Sequence, residues 1–64
     1  MKFIKDETGR YFPITQIDEI TLQTIERASG LLTYEVIFCI GAFTYKCNEE
    51  FATKEDAEEF ISQL

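Results

Sequence analysis

The chain predicts an α+β fold: a twisted antiparallel meander of four to five strands, with one C-terminal amphipathic helix packed on one face. Three stretches carry this expectation. Tyr34 to Asn48 is a β-rich run broken only at Gly41-Ala42. Thr53 to Leu64 repeats apolar residues at helical spacing. Lys2 to Phe12 holds two short β-type runs around Glu7-Thr8-Gly9. A sheet with one oily face and a helix with one oily stripe cover each other.

Lys2 to Lys5 reads as a short strand with Phe3 and Ile4 on opposite faces, because strand side chains alternate. Gly9 suits the turn that follows, being free to take positive φ. Arg10-Tyr11-Phe12 pairs back as the second strand. Pro13 lacks an N–H and ends it or leaves it at an edge. Ile14 to Gly30 is ambiguous. Ile20, Leu22 and Thr24 alternate with Thr21, Gln23 and Ile25, which favours a strand rich in β-branched residues. Ile17, Ile20, Thr24 and Ala28 also fit a helical stripe with Gly30 as its C′ residue. Leu22 falls off that stripe, and Thr and Ile are poor helix formers. The pattern leaves residues 18–28 open between strand and helix; strand is the preferred reading, and under it the chain turns from strand to loop at Glu26, with Glu26 to Gly30 the loop. The fourth strand starts near Leu31 and runs to Ile40, a length that suits the centre of a sheet.

Gly41 at the first central position of a two-residue loop predicts a type II′ hairpin. That register pairs Ile40 with Phe43, Phe38 with Tyr45 and Val36 with Cys47, all six on one face. Glu35, Ile37, Cys39, Thr44, Lys46 and Asn48 take the other. A slip of one residue would exchange the faces, so the apolar pattern selects the register. In the closing helix, Thr53 is the expected N-cap and Asp56 the capping-box acid. Ala57, Phe60, Ile61 and Leu64 form one stripe, expected to pack on the Val36/Phe38/Tyr45 face. Glu55, Glu59 and Ser62 take the opposite face, with Asp56 and Glu58 on the flanks, and acids in the first turn oppose the helix dipole.

This order of elements resembles the small flagellar-regulator proteins of the FlbD type. The likeness lies in the glycine turn Glu7-Thr8-Gly9-Arg10, the string Ile14/Ile17/Ile20, Val36-Ile37 leading to Gly41 and Tyr45, and the acidic segment from Glu49 to Glu59. The chain departs from that pattern at a longer Glu26–Tyr34 connection and at Cys39, Phe43 and Cys47. The resemblance implies a β-meander with a C-terminal helix.

Sixty-four residues bound the rest. Residues 1–64 are expected to form a single small α+β domain, burying only about 60% of the unfolded surface. Charge interrupts the N-terminus too early for a signal peptide. No apolar run approaches the ~20 residues of a membrane helix. A soluble, cytoplasmic protein is expected. Cys39 and Cys47 point to opposite faces in the predicted register, so no bridge joins them. The net charge of −6 is concentrated at the end: residues 49–64 set Lys54 against Glu49, Glu50, Glu55, Asp56, Glu58 and Glu59, whereas residues 1–48 are nearly balanced.

Little in the chain suggests chemistry. With no histidine, the usual neutral-pH acid–base group is missing. No serine or cysteine has an evident partner to activate it. No closely spaced cysteine pair suggests zinc. Neither catalysis nor a cofactor or metal is expected. Lys2, Lys5 and Arg10, with Tyr11 and Phe12, are too thin a basic footprint for nucleic acid, which needs clustered cations. What remains is a small protein-binding or regulatory module of bacterial or phage type. Its candidate surface is either the acidic helix face (Glu55, Glu58, Glu59) or the second sheet face (Ile37, Cys39, Thr44), which is unusually apolar for the wet side of an antiparallel sheet. A homodimer through that face or through an edge strand is expected. The alternative is an acidic mimic of nucleic acid that blocks a DNA-binding protein, although one helix presents charge less densely than duplex phosphates, spaced about 1.7 Å along the axis.

Overall fold

The computed structural model describes residues 2–64. Two short strands, β1 (Phe3–Lys5) and β2 (Tyr11–Pro13), form an antiparallel hairpin. A single 3-10 turn (Ile14–Gln16) leads to a meander of three longer strands: β3 (Glu19–Glu26), β4 (Leu32–Ile40) and β5 (Phe43–Phe51). Helix α1 (Lys54–Ser62) closes the chain. The ambiguous Ile14–Gly30 region is therefore strand where alternation favoured it. β4 is the central strand, paired on both sides.

The five strands divide into a two-stranded and a three-stranded sheet, which corrects the expected single sheet. The two touch along the free side of β5. Asp6 bridges to Cys47, and the Glu7 N–H donates to the Lys46 carbonyl at 2.9 Å. Beyond that point the β1–β2 hairpin leaves the β5 edge and crosses the apolar face. Burial gives the reason. Ile4 is only 1% exposed and joins Val36, Phe38 and Cys47 in the core. Phe12 packs at a tilt against Tyr45 (4.6 Å between ring centres, planes 40° apart) and meets Phe38 edge-on at 5.6 Å. Lying beside β5 in one flat sheet would leave Ile4 and Phe12 half in water.

Cover of the core face is thus shared. The hairpin covers the Phe38/Tyr45 end. The α1 stripe covers the rest, with Ala57 buried, Phe60, Ile61 and Leu64 packed on the cluster, and Phe60 5.2 Å from the Phe51 ring. Thr53 caps the helix: its hydroxyl oxygen accepts the Asp56 N–H at 3.2 Å. The last turn of α1 has no basic residue of its own, and the Lys2 ammonium reaches the Gln63 carbonyl from outside the helix. Cations are favoured there, because the helix dipole is negative at that end.

The β4–β5 hairpin keeps the predicted register from Ile40–Phe43 to Ile37–Lys46. Gly41 has φ +60°, while no non-glycine residue among those described has positive φ, as a type II′ turn requires. Asp18 fastens the turn, its carboxylate accepting the Gly41 N–H at 2.7 Å. Past Ile37 the ladder breaks, and the next pairs are Glu35–Glu50 and Tyr34–Phe51. Val36 therefore faces a three-residue bulge, Cys47-Asn48-Glu49, rather than Cys47 alone. A regular ladder would set Glu49 on the core face opposite Tyr34. The bulge expels Glu49 into solvent and puts Phe51 in its place. Two extra residues preserve the alternation, so Cys47 stays buried.

The β1–β2 turn is organised by Asp6. One carboxylate oxygen accepts the Thr8 N–H (3.0 Å), the Thr8 hydroxyl (2.7 Å) and the Arg10 N–H (2.9 Å). Gly9, at φ +91°, completes the reversal. The Thr8 hydroxyl bond, aided by the two backbone donors against the effect of burial, holds the Asp6 carboxyl below its ordinary pKa. A depressed carboxyl contributes stability above its unfolded-state pKa, and that contribution is lost as pH falls through the folded value. Asp6→Ala is expected to lower the melting temperature at neutral pH and to speed amide exchange at Thr8 and Arg10. The deficit should shrink in strong acid. Equal deficits in thermal melts at both pH values would show that the Asp6 charge contributes nothing.

Candidate functional site

Side-chain alternation decides what the second sheet face displays. The helix and the β1–β2 strands occupy the opposite side, so among the described residues no helix or strand covers this face, and only its β5 margin is flanked. It splits into two halves. One is ionic. Glu35 and Glu50, opposed after the bulge, are like charges directly across the ladder, an arrangement that destabilises unless cations intervene. Lys46 lies between them, paired to Glu35 and 3.7 Å from Glu50. One Arg27 nitrogen donates to both Glu50 oxygens at 2.7 Å. The order Arg27–Glu50–Lys46–Glu35 alternates in sign across the face. Glu35 is 4% exposed, and an isolated carboxylate at that burial would be costly. The Arg27 bond holds the Glu50 carboxyl below its usual range. The Glu35 bond raises the Lys46 ammonium above its own.

The other half is apolar. Ile37 and Cys39 are half-buried and Thr44 is exposed, with the Cys39 sulfur 3.8 Å from the Thr44 hydroxyl. The structure brings these three candidates together. It also adds a wall that the sequence did not suggest. The Asp6–Arg10 turn reaches round the β5 edge, and an open cleft of about 290 Å³ lies between Glu7, Thr8 and Arg10 on one side and Ile37, Thr44 and Lys46 on the other. The signal for it was Asp6 followed two and four residues later by Thr8 and Arg10, a turn in which a carboxylate captures its own backbone.

Glu55, Glu58 and Glu59 are exposed on α1, across the sheet from this cleft. The two candidate surfaces are separate. Lys54 stands 4.0 Å from Glu58 and offsets part of that charge. The basic residues of the first hairpin do not form one patch. Lys2 sits at the end of α1, Lys5 lies over the Tyr11 ring and Arg10 over the Phe12 ring. Phe12 belongs to the core, whereas Phe3, Tyr11 and Phe43 are exposed. Both cysteines are free thiols, and burial pushes the Cys47 thiol up, away from the reactive thiolate. Among the described residues no three His, Cys, Asp or Glu side chains are grouped to hold a metal, and no helix is long and apolar enough to cross a membrane. Comparisons with models of protein families, with characterised proteins and with solved structures find no match to this chain.

Proposed function

We propose that the chain is a non-catalytic protein-binding or regulatory module of the cytoplasm, and that it binds through the apolar half of its second sheet face. One observation carries this reading. Ile37 and Cys39 lie on a sheet face that neither helix nor strand covers among the described residues, next to a cleft rimmed by Arg10 and Lys46. Antiparallel sheets ordinarily turn polar side chains to water. A partner that supplies apolar side chains to Ile37 and Cys39, with carboxylates or carbonyls for Arg10, would complete the face. Two unpaired cysteines fit a reducing compartment.

The test is a tagged capture from lysate of the source organism with three forms of the chain. These are the wild type, a face variant (Ile37→Glu with Thr44→Glu) and a helix variant with Glu55, Glu58 and Glu59 all changed to lysine. The expected result is a protein retained by the wild type and the helix variant and lost by the face variant. Loss only in the helix variant would transfer the function to the acidic helix. If the captured protein were then a DNA-binding one, the acidic-mimic reading would hold. Circular dichroism on each form establishes that it is folded.

A further inference from the structure

Strand β3 is the end strand of its sheet, with β4 on one side and no strand on the other among the described residues. Its hydrogen-bonding pattern shows what the open side offers. The Arg27 N–H donates to the Leu31 carbonyl at 2.8 Å, and Glu26 faces Leu32. In an antiparallel ladder the bonded pairs alternate, so the odd-numbered residues of β3 point N–H and C=O at β4. Ile20, Leu22, Thr24 and Glu26 point theirs away from it. Native sheets blunt such an edge with proline, lysine, a bulge or a very short strand. This edge has none of them. It is eight residues long, reads Glu-Ile-Thr-Leu-Gln-Thr-Ile-Glu, and pairs with β4 without a register shift.

We propose that β3 pairs antiparallel with β3 of a second copy of this chain, joining two three-stranded sheets into one six-stranded sheet about a two-fold axis. The axis stands perpendicular to the sheet, so only residues of equal parity can face each other. This leaves a short series of registers, centred on Leu22, on Gln23 or on positions further out. Charge selects among them. Centring on Leu22 sets Glu26 against Asp18 of the second copy, two like charges. Centring on Gln23 sets Glu19 against Arg27 of the second copy, and by symmetry twice. The same register pairs Thr21 with Ile25 of the second copy, a β-branched pair, and Gln23 with itself, where amides can both donate and accept. It also makes bonded pairs of Leu22 with Thr24 and of Ile20 with Glu26, using the outward N–H and C=O groups. Both helices then lie on the same side of the joined sheet, leaving both clefts open on the other.

Light scattering coupled to gel filtration reads the result directly. The wild type is expected at the mass of two chains. Thr24→Pro removes one outward N–H at an exposed position, where an edge strand tolerates proline, and is expected at the mass of one chain with an unchanged circular dichroism spectrum. Glu19→Arg alone and Arg27→Glu alone should each weaken dimerisation roughly tenfold by opposing like charges at both ends. Combined, they restore the pair with its signs exchanged and should recover the dimer. That recovery distinguishes the Gln23-centred register and stands even if the proline variant does not fold. A wild type that remains a single chain at millimolar concentration overturns the proposal. So does a dimer indifferent to both single charge reversals.

Discussion

Phe38→Ala is expected to leave the chain largely unfolded at room temperature. Phe38 is 0% exposed, sits on the central strand, and packs its ring 5.6 Å from Phe12 and 5.5 Å from Tyr45. It is the residue at which the β1–β2 hairpin, the sheet and the buried cluster of Ile4, Val36 and Cys47 meet. Truncating a buried phenylalanine to alanine costs about 3–5 kcal/mol, because lost transfer energy and an unfilled cavity add. A chain of this length has roughly 3–10 kcal/mol to lose, at about 0.05–0.15 kcal/mol per residue. The substitution therefore removes much or all of the margin. Phe43→Ala is the matched control. Phe43 is the same residue type on the neighbouring strand, but 68% exposed, and its loss should change stability by no more than about 0.5 kcal/mol. Urea titration followed by circular dichroism compares the two. A Phe38→Ala protein within about 1 kcal/mol of the wild type would mean that the cluster is not the core.

The contrast between Phe38 and Phe43 also shows how far the sequence could be read. Alternation put both on one face, correctly, since Phe38–Tyr45 and Ile40–Phe43 are paired as expected. It could not say how far along that face the cover extends, because cover comes from residues elsewhere in the chain. Phe12 and Ile4 reach the Phe38 level from the first hairpin, and Phe43 lies beyond them at the turn. The helix, its Thr53 cap and the Gly41 turn were legible because each depends on neighbours within a few residues. The bulge was not. It arises because Glu49 and Phe51 compete for one core-facing position, which is a tertiary choice that no local periodicity records. The division into two sheets has the same origin, since Ile4 is better buried across the core face than along the β5 edge. For the candidate site, Ile37, Cys39 and Thr44 could be grouped from alternation alone. The ionic half was legible only in part: alternation put Glu35 and Lys46 on this face, but Glu50 comes opposite Glu35 only through the bulge, and Arg27 reaches Glu50 from the β3–β4 turn.

That ionic half leads to the second large effect, expected from Lys46→Met. Methionine keeps the apolar stem of lysine and removes its charge, so the loss is electrostatic rather than one of packing. Glu35, nearly fully buried, and Glu50 opposite it would then share the ladder with Arg27 alone. The sign of the pH dependence separates this from a loss of packing. In the wild type, the depressed Glu50 carboxyl contributes stability above its unfolded-state pKa and loses it as pH falls through the folded value. The raised Lys46 ammonium contributes below its own unfolded-state pKa and loses it as pH rises through the folded value. The ladder is therefore strongest between the carboxylate and lysine ranges. Lys46→Met should melt well below the wild type throughout that window. Acidification neutralises Glu50 and so relieves the repulsion in the variant while it removes the wild-type advantage, so the two melting curves should converge at acid pH. Adding Glu35→Gln removes the buried charge that lost its partner, and should recover part of the deficit at neutral pH, since replacing both members of a buried pair is milder than orphaning one. A deficit that is constant with pH and untouched by Glu35→Gln would mean that Lys46 serves the fold through its stem, and that the alternating row of charges contributes no net stability.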